Sequence, residues 1–140
     1  MPPSQNALLA ALYPMGCGSG RWPSPARTEK YVHSDSLDFF RWWAEEEPGP
    51  IHLLYLDSLD YHDHAAREAH HSAEAEAALP FLAARCLALI DDTSPSGEVD
   101  GAPTFGGDGL RAIPFLLERG FRIVWAEAGQ VLLERDVAAG

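Results

Sequence analysis

Two short apolar runs, each followed directly by aspartate, constrain the fold of this chain most strongly. Residues 51–56 read IHLLYL and end at Asp57, and residues 85–90 read RCLALI and end at Asp91. Nearly continuous apolar runs of this length are typical of strands that are buried on both faces of a parallel sheet. Between them, residues 63–82 are rich in Ala, Glu, Arg and Leu, a composition that favours a helix. The pattern predicts a β-α-β unit.

The flanking residues extend this alternation. Candidate elements are a strand at 30–33, a helix at 36–47, a loop at 93–107, a helix at 110–119, and strands at 121–127 and 130–135 with a turn at Ala128 and Gly129. The order predicts an α/β fold with a mostly parallel sheet of about five strands and a C-terminal antiparallel hairpin strand. Residues 1–29, with a short helix candidate and a Gly/Pro/Ser-rich stretch, form a separate N-terminal segment, and residues 30–140 form the α/β domain.

Charge and composition exclude several classes of function. The formal net charge is −11 and the chain has one lysine, which argues against binding to nucleic acid or to an anionic membrane. No apolar run approaches the roughly 18 residues of a membrane span, and the N-terminus lacks the features of a signal peptide. Two cysteines in unrelated contexts indicate no disulfide framework. We therefore expect a cytoplasmic protein.

Acidic side chains follow three of the predicted strands. They are Asp35, Asp57, and the pair Asp91 and Asp92. Because ligands of open parallel sheets bind at the carboxyl ends of the strands, these carboxylates are candidates to converge on a divalent cation such as Mg²⁺. The alternative is that each one caps the helix that follows it.

The order of the blocks YVHSDSLDFF, IHLLYLDSLDYHD, ALPFLAARCLALIDDT and GDGLRAIPFLLERGFRIVW resembles the C-terminal half of class I S-adenosylmethionine-dependent methyltransferases. The resemblance implies a Rossmann-like methyltransferase sheet and methyl transfer to an oxygen or nitrogen of a small molecule. It implies that Asp35 and Ser36 contact the adenine of the cofactor and that Asp57 lies near the reactive methyl group. It further implies that Asp57, Asp91 and Asp92 bind Mg²⁺, as in the catechol-type O-methyltransferases.

Two departures from the family leave activity open. Asp60 stands where the catechol-type enzymes have a lysine general base, and His62 is the nearest substitute. A Gly-x-Gly-x-Gly pattern occurs at residues 16–20, but residues 21–29 are too few for the crossovers that should separate it from the strand before Asp35. The domain is thus truncated at the N-terminus relative to the family. The alternative function is a non-catalytic relative that serves as an interaction or oligomerisation module.

Histidines and topology supply two further expectations. His62 and His64 resemble the start of a zinc-hydrolase motif, but positions 66 and 67 lack the Asp-His pair, and His70 and His71 are expected on a solvated helix face.

If the predicted crossovers all advance in one direction, right-handed connections put their helices on the same face of the sheet. The other face is then apolar and bare, which predicts a homo-oligomer.

Overall fold

A computed structural model describes residues 34–47, 49–57 and 63–137. The elements are helices α1 (Ser36–Glu46), α2 (His64–Ala78) and α3 (Gly109–Leu117), a 3₁₀ turn (Leu79–Phe81), and strands β1 (Ile51–Leu56), β2 (Leu82–Ile90), β3 (Thr93–Val99), β4 (Ala102–Gly107), β5 (Arg122–Glu127) and β6 (Gln130–Asp136). The helices and the strands of the β-α-β unit therefore lie where the sequence predicts them. The strand expected at residues 30–33 and the whole N-terminal segment lie outside the described residues.

The main sheet has four strands in the order β1-β2-β6-β5. Only β1 and β2 pair in parallel, whereas β2 with β6 and β5 with β6 pair antiparallel. The prediction of a mostly parallel, Rossmann-like sheet of about five strands is therefore wrong for the described residues. The turn at Ala128 and Gly129, whose φ angles of 52° and 76° fit a tight hairpin, reverses the chain as the sequence predicts. The reason for the difference is that β6 lies between β2 and β5, where one reversed strand creates two antiparallel pairs.

A second correction concerns residues 93–107, which the Gly, Pro and Ser content predicts as a loop. They form a separate two-stranded antiparallel sheet, β3 with β4. Its turn contains Asp100 and Gly101, both with positive φ, as a two-residue hairpin requires. The ribbon is solvent-exposed from Ser94 to Pro103, so its residues carry no hydrophobic alternation for sequence reasoning to detect.

Helix boundaries follow local capping. The side chain of Asp35 accepts a hydrogen bond from the N–H of Leu37 at the start of α1, and that of Asp63 accepts one from Ala66 at the start of α2. Asp108 is the N-cap residue of α3, but its side chain makes no capping bond.

None of the described helices is both long and apolar enough to cross a membrane.

The core lies on one side of the main sheet. Leu54, Ala88 and Leu133 point to that side and are at most 1 % exposed, and the apolar faces of all three helices belong to the same buried cluster. Side chains at the neighbouring positions of the same strands, such as Leu53 and Leu87, point to the other side and are exposed. The described residues thus cover one face of the sheet and leave its opposite, apolar face open.

Candidate functional site

The predicted acidic cluster at the carboxyl ends of β1 and β2 is partly assembled. The hydroxyl of Tyr55 lies 2.7 Å from Oδ2 of Asp91 and 3.2 Å from Oδ2 of Asp57. A tyrosine hydroxyl has one proton, and the shorter contact indicates that it is donated to Asp91. Tyr55 therefore joins the two carboxylates that the sequence placed together.

This arrangement shifts the pKa values of the two carboxyl groups in opposite directions. Burial raises the pKa of Asp57 above its usual value, and the nearby charge of Asp91 adds to the effect. Burial alone would also raise the pKa of Asp91, but hydrogen bonds from Tyr55 and from the N–H of Asp92 outweigh it and hold that pKa below its usual value. The pKa of Tyr55 is raised, first by its hydrogen bond to Asp91. At neutral pH these effects favour an ionised Asp91 beside a more easily protonated Asp57.

The third predicted metal ligand, Asp92, turns away from the other two. Its φ of 49° directs the chain toward β3, and its carboxylate lies 3.5 Å from Nη2 of Arg67. Among residues 34–47, 49–57 and 63–137, no three His, Cys, Asp or Glu side chains are grouped to hold a metal ion. A cation held by Asp57, Asp91 and Asp92 therefore stays a prediction.

The residues predicted to hold the cofactor are engaged elsewhere. Asp35 caps α1, with 2.9 Å between Oδ1 and the N of Leu37, which is the role that the capping alternative gave it. Ser36 is buried and its hydroxyl lies 3.1 Å from Nε2 of His70. His62 and the glycines at 16–20 lie outside the described residues. The described residues alone therefore do not form a recognisable S-adenosylmethionine site, and the cofactor stays a prediction.

A buried ionic cluster between α2 and α3 was not predicted from the sequence. We define it by His71, Glu74, Asp108 and Arg67. His71 is fully buried, with Nδ1 3.2 Å from Oε2 of Glu74 and Nε2 2.9 Å from Oδ2 of Asp108. Arg67 contacts Oδ1 of Asp108 at 2.9 Å and donates to Oδ2 at 3.1 Å. Arg67 thus brings a positive charge to the buried carboxylate of Asp108, as buried charges require.

The expectation of a solvated face for the two adjacent histidines is wrong for His71. The ring is fully buried and has a carboxylate on each side, that of Glu74 near Nδ1 and that of Asp108 near Nε2. The sequence contained one indication of this cluster, the spacing of its members on α2. Arg67, His71 and Glu74 are four and three residues apart and therefore share one helix face. The missing information was Asp108, 37 residues along the chain from His71, which only tertiary packing brings to that face.

His70 joins this region to α1, but it does not build a catalytic triad. Its Nε2 lies 3.1 Å from the hydroxyl of Ser36 and also 3.1 Å from Oε1 of Glu74. A relay from serine to carboxylate needs the two partners on different ring nitrogens, whereas here both contacts fall on one. The hydrogen bond to Glu74 raises the pKa of His70 even though burial opposes it. The geometry indicates a positioning role between helices.

A shallow pocket of about 330 Å³ lies at the other end of the sheet. It is lined by Trp43, Pro50, Pro80 and Leu82, among others, where β1 and β2 begin. Ligands of parallel strands bind at the carboxyl ends, so this pocket is remote from the aspartates. We assign it no chemistry.

Comparison with known proteins adds no assignment. No protein-family model matches the chain, and no curated protein matches it. The resemblance to methyltransferases therefore stays a prediction from the motifs.

Proposed function

We propose that this chain is an interaction module whose uncovered sheet face binds another protein surface. The observation that supports the proposal is a continuous row of large apolar side chains across the four strands. In the strand register, Tyr55 pairs with Leu89, Leu89 with Leu132, and Leu132 with Trp125. Cross-strand partners point to the same face of a sheet, so the row crosses the whole open face.

The row is accessible in the described part of the chain. Tyr55 and Trp125 at its ends are 37 % and 40 % exposed, Leu53 and Leu87 beside it are exposed as well, and Leu89 and Leu132 at its centre are half-buried. Exposed apolar residues that occur singly are ordinary, but contiguous ones on a flat surface are typical of interfaces. Aromatic residues are also the ones that contribute most to binding at the centres of interfaces.

Electrostatics supports the same surface. The chain is strongly acidic overall, but Arg122 and Arg85 on the open face are each paired with a carboxylate on the neighbouring strand, Arg122 with Glu134 at 2.7 Å and Arg85 with Asp136 at 3.6 Å. These pairs carry no net charge and flank the apolar row. This part of the face can therefore approach another acidic protein with little repulsion, whereas Asp57 and Asp91 keep the end near Tyr55 acidic.

Photo-cross-linking tests the proposal. A photoreactive phenylalanine analogue replaces Leu89 on the open face in one variant and Ala69, an exposed position on α2, in a matched control. After irradiation in the cells that naturally produce the protein, we expect cross-linked protein from position 89 in clear excess over position 69. Equal yields from both positions would contradict the proposal.

Methyl transfer is a second candidate, because Asp57 and Asp91 meet at the carboxyl ends of neighbouring parallel strands, where the family resemblance puts acidic groups. Titration calorimetry with S-adenosylmethionine tests it, with Asp57→Asn as the variant that should weaken binding. We expect weak binding or none, because the described residues offer little to hold the methionine and ribose portions. Low-micromolar affinity that Asp57→Asn weakens would favour the enzyme over the interaction module.

A further inference from the structure

We infer that the open face binds a second copy of this chain. The two copies are related by a two-fold axis that lies in the plane of contact, parallel to the strands and midway between β2 and β6. This inference rests on the proposed function and goes beyond it by naming the partner and the arrangement. The symmetry of the face carries it, and the charge and the size of the face limit the strength of the contact.

The apolar row is self-complementary under that axis. The sheet order puts β1 and β5 at the edges and β2 and β6 in the middle. Rotation about an axis between the middle strands places Tyr55 over Trp125 of the partner subunit, and Leu89 over Leu132 of the partner subunit. Each aromatic side chain then meets an aromatic one and each leucine meets a leucine, as in an isologous contact in which one patch serves both subunits.

Charge limits the strength of a contact between two copies. Like-charged surfaces repel, and a chain of net charge −11 would ordinarily avoid its own copies. On this face, however, the ion pairs Arg122–Glu134 and Arg85–Asp136 are completed within one chain. Asp57 and Asp91, which contact Tyr55 at the carboxyl end of β1 and β2, are not part of these pairs, so we expect repulsion between the two copies at that end of the face.

The size of the face predicts a weak dimer. Four strands about 4.8 Å apart and about 20 Å long give a flat area of roughly 400 Å² on each subunit. Protruding side chains enlarge the accessible area, but the area of the contact remains small beside that of specific interfaces, which bury about 800 Å² per partner. We therefore expect a dimer that dissociates in the micromolar range rather than an obligate one.

Sedimentation of the purified chain across a concentration series tests the oligomeric state. The mass should rise from 15.3 kDa toward twice that value as concentration increases. Leu89→Arg, which puts a charge at the centre of the face, should weaken association about tenfold or more, as expected for a central interface residue. Ala69→Arg, which adds the same charge at an exposed position on α2, should leave association unchanged. A monomer throughout, or a dimer indifferent to Leu89→Arg, would overturn the inference.

Chemical cross-linking tests the arrangement. Chains with Tyr55→Cys and chains with Trp125→Cys, both also carrying Cys17→Ser, are mixed and treated with a short bis-maleimide. We expect Tyr55→Cys chains to cross-link to Trp125→Cys chains and not to one another, because three strand spacings, about 14 Å, separate the two copies of position 55 sideways. Cross-links between two Tyr55→Cys chains would overturn the arrangement.

The two proposals fail differently. If the chain is monomeric when purified and position 89 still cross-links to another protein in cells, the face is an interaction surface and the second copy is excluded. If position 89 cross-links no more than position 69 and the chain is monomeric, both proposals fall.

Discussion

Nε2 of His71 in α2 lies 2.9 Å from Oδ2 of Asp108, the residue that begins α3. An aspartate at that position ordinarily caps its own helix, but here its carboxylate turns back to α2 and is shared with Arg67. The two helices pack closely together, so Asp108 joins them through its polar contacts with Arg67 and His71 as well as through apolar burial. The N–H of Asp108 also donates to the carbonyl of Asp92 at 3.1 Å, which places the start of α3 next to the end of β2.

Replacement of His71 by alanine should strongly destabilise the fold. It removes a fully buried side chain that lies between the carboxylates of Glu74 and Asp108, and the loss of a large buried side chain costs roughly 2–5 kcal/mol. Urea unfolding of the two proteins measures the loss. His64→Ala is the matched control, because His64 is an exposed residue of the same helix and its loss should change the free energy of unfolding by no more than about 0.5 kcal/mol. Equal stability of the two variants would contradict a structural role for the cluster.

The stability of the protein should fall as pH rises above neutrality, in part through His70. Its folded-state pKa is raised by Glu74, so the protonated ring stabilises the fold. That contribution is complete below the unfolded-state pKa of about 6.5 and is lost as pH rises through the higher folded-state value. The free energy of unfolding, measured from pH 6 upward, should fall less steeply in His70→Gln than in the natural sequence. An identical slope in both would show that His70 gains nothing from Glu74.

Tyr55→Phe should change the titration of the carboxyl groups at the end of the sheet without unfolding the protein. The variant removes the hydroxyl that donates to Asp91 and keeps the ring on the open face. Since that hydrogen bond lowers the pKa of Asp91, the pKa should rise in the variant. Carbon-detected NMR of the aspartate side chains follows the change, and Asp63, which caps α2, serves as an internal control. An unchanged Asp91 pKa would mean that the hydroxyl does not bind it in solution.

Gly107→Ala should destabilise the protein more than Gly101→Ala. Both glycines have positive φ, 71° and 77°, so an alanine at either position costs roughly 1–2 kcal/mol of backbone strain. A Cβ at Gly107 would in addition overlap the carbonyl oxygen of Asp92, whereas nothing lies within 4 Å of one at Gly101. Overpacking of this kind adds roughly 1–3 kcal/mol. Thermal unfolding of both variants measures the difference, and a Gly101→Ala variant as unstable as Gly107→Ala would argue against the close approach.

Much of the local structure could be predicted from the sequence. The run at 51–56 matches β1 residue for residue, and the hairpin between β5 and β6 has its turn at Ala128 and Gly129 as expected. Such features depend on nearest neighbours: apolar runs favour buried strands, and residues that tolerate positive φ favour tight turns. The expectation that Asp57 and Asp91 lie together could be made because both end neighbouring strands, although Tyr55 as the group that joins them could not.

Pairing across the sheet depended on tertiary structure. A strand has two edges, and its sequence does not state which neighbour occupies each one, so the entry of β6 between β2 and β5 could not be derived from apolar runs alone. The ribbon of β3 and β4 forms although its residues lack an alternating pattern, because its base is anchored by buried Thr93 and Phe105. The buried ionic cluster likewise needed Asp108 from a distant part of the chain. Sequence determined the elements through local interactions, and contacts between residues far apart in the chain determined how those elements meet.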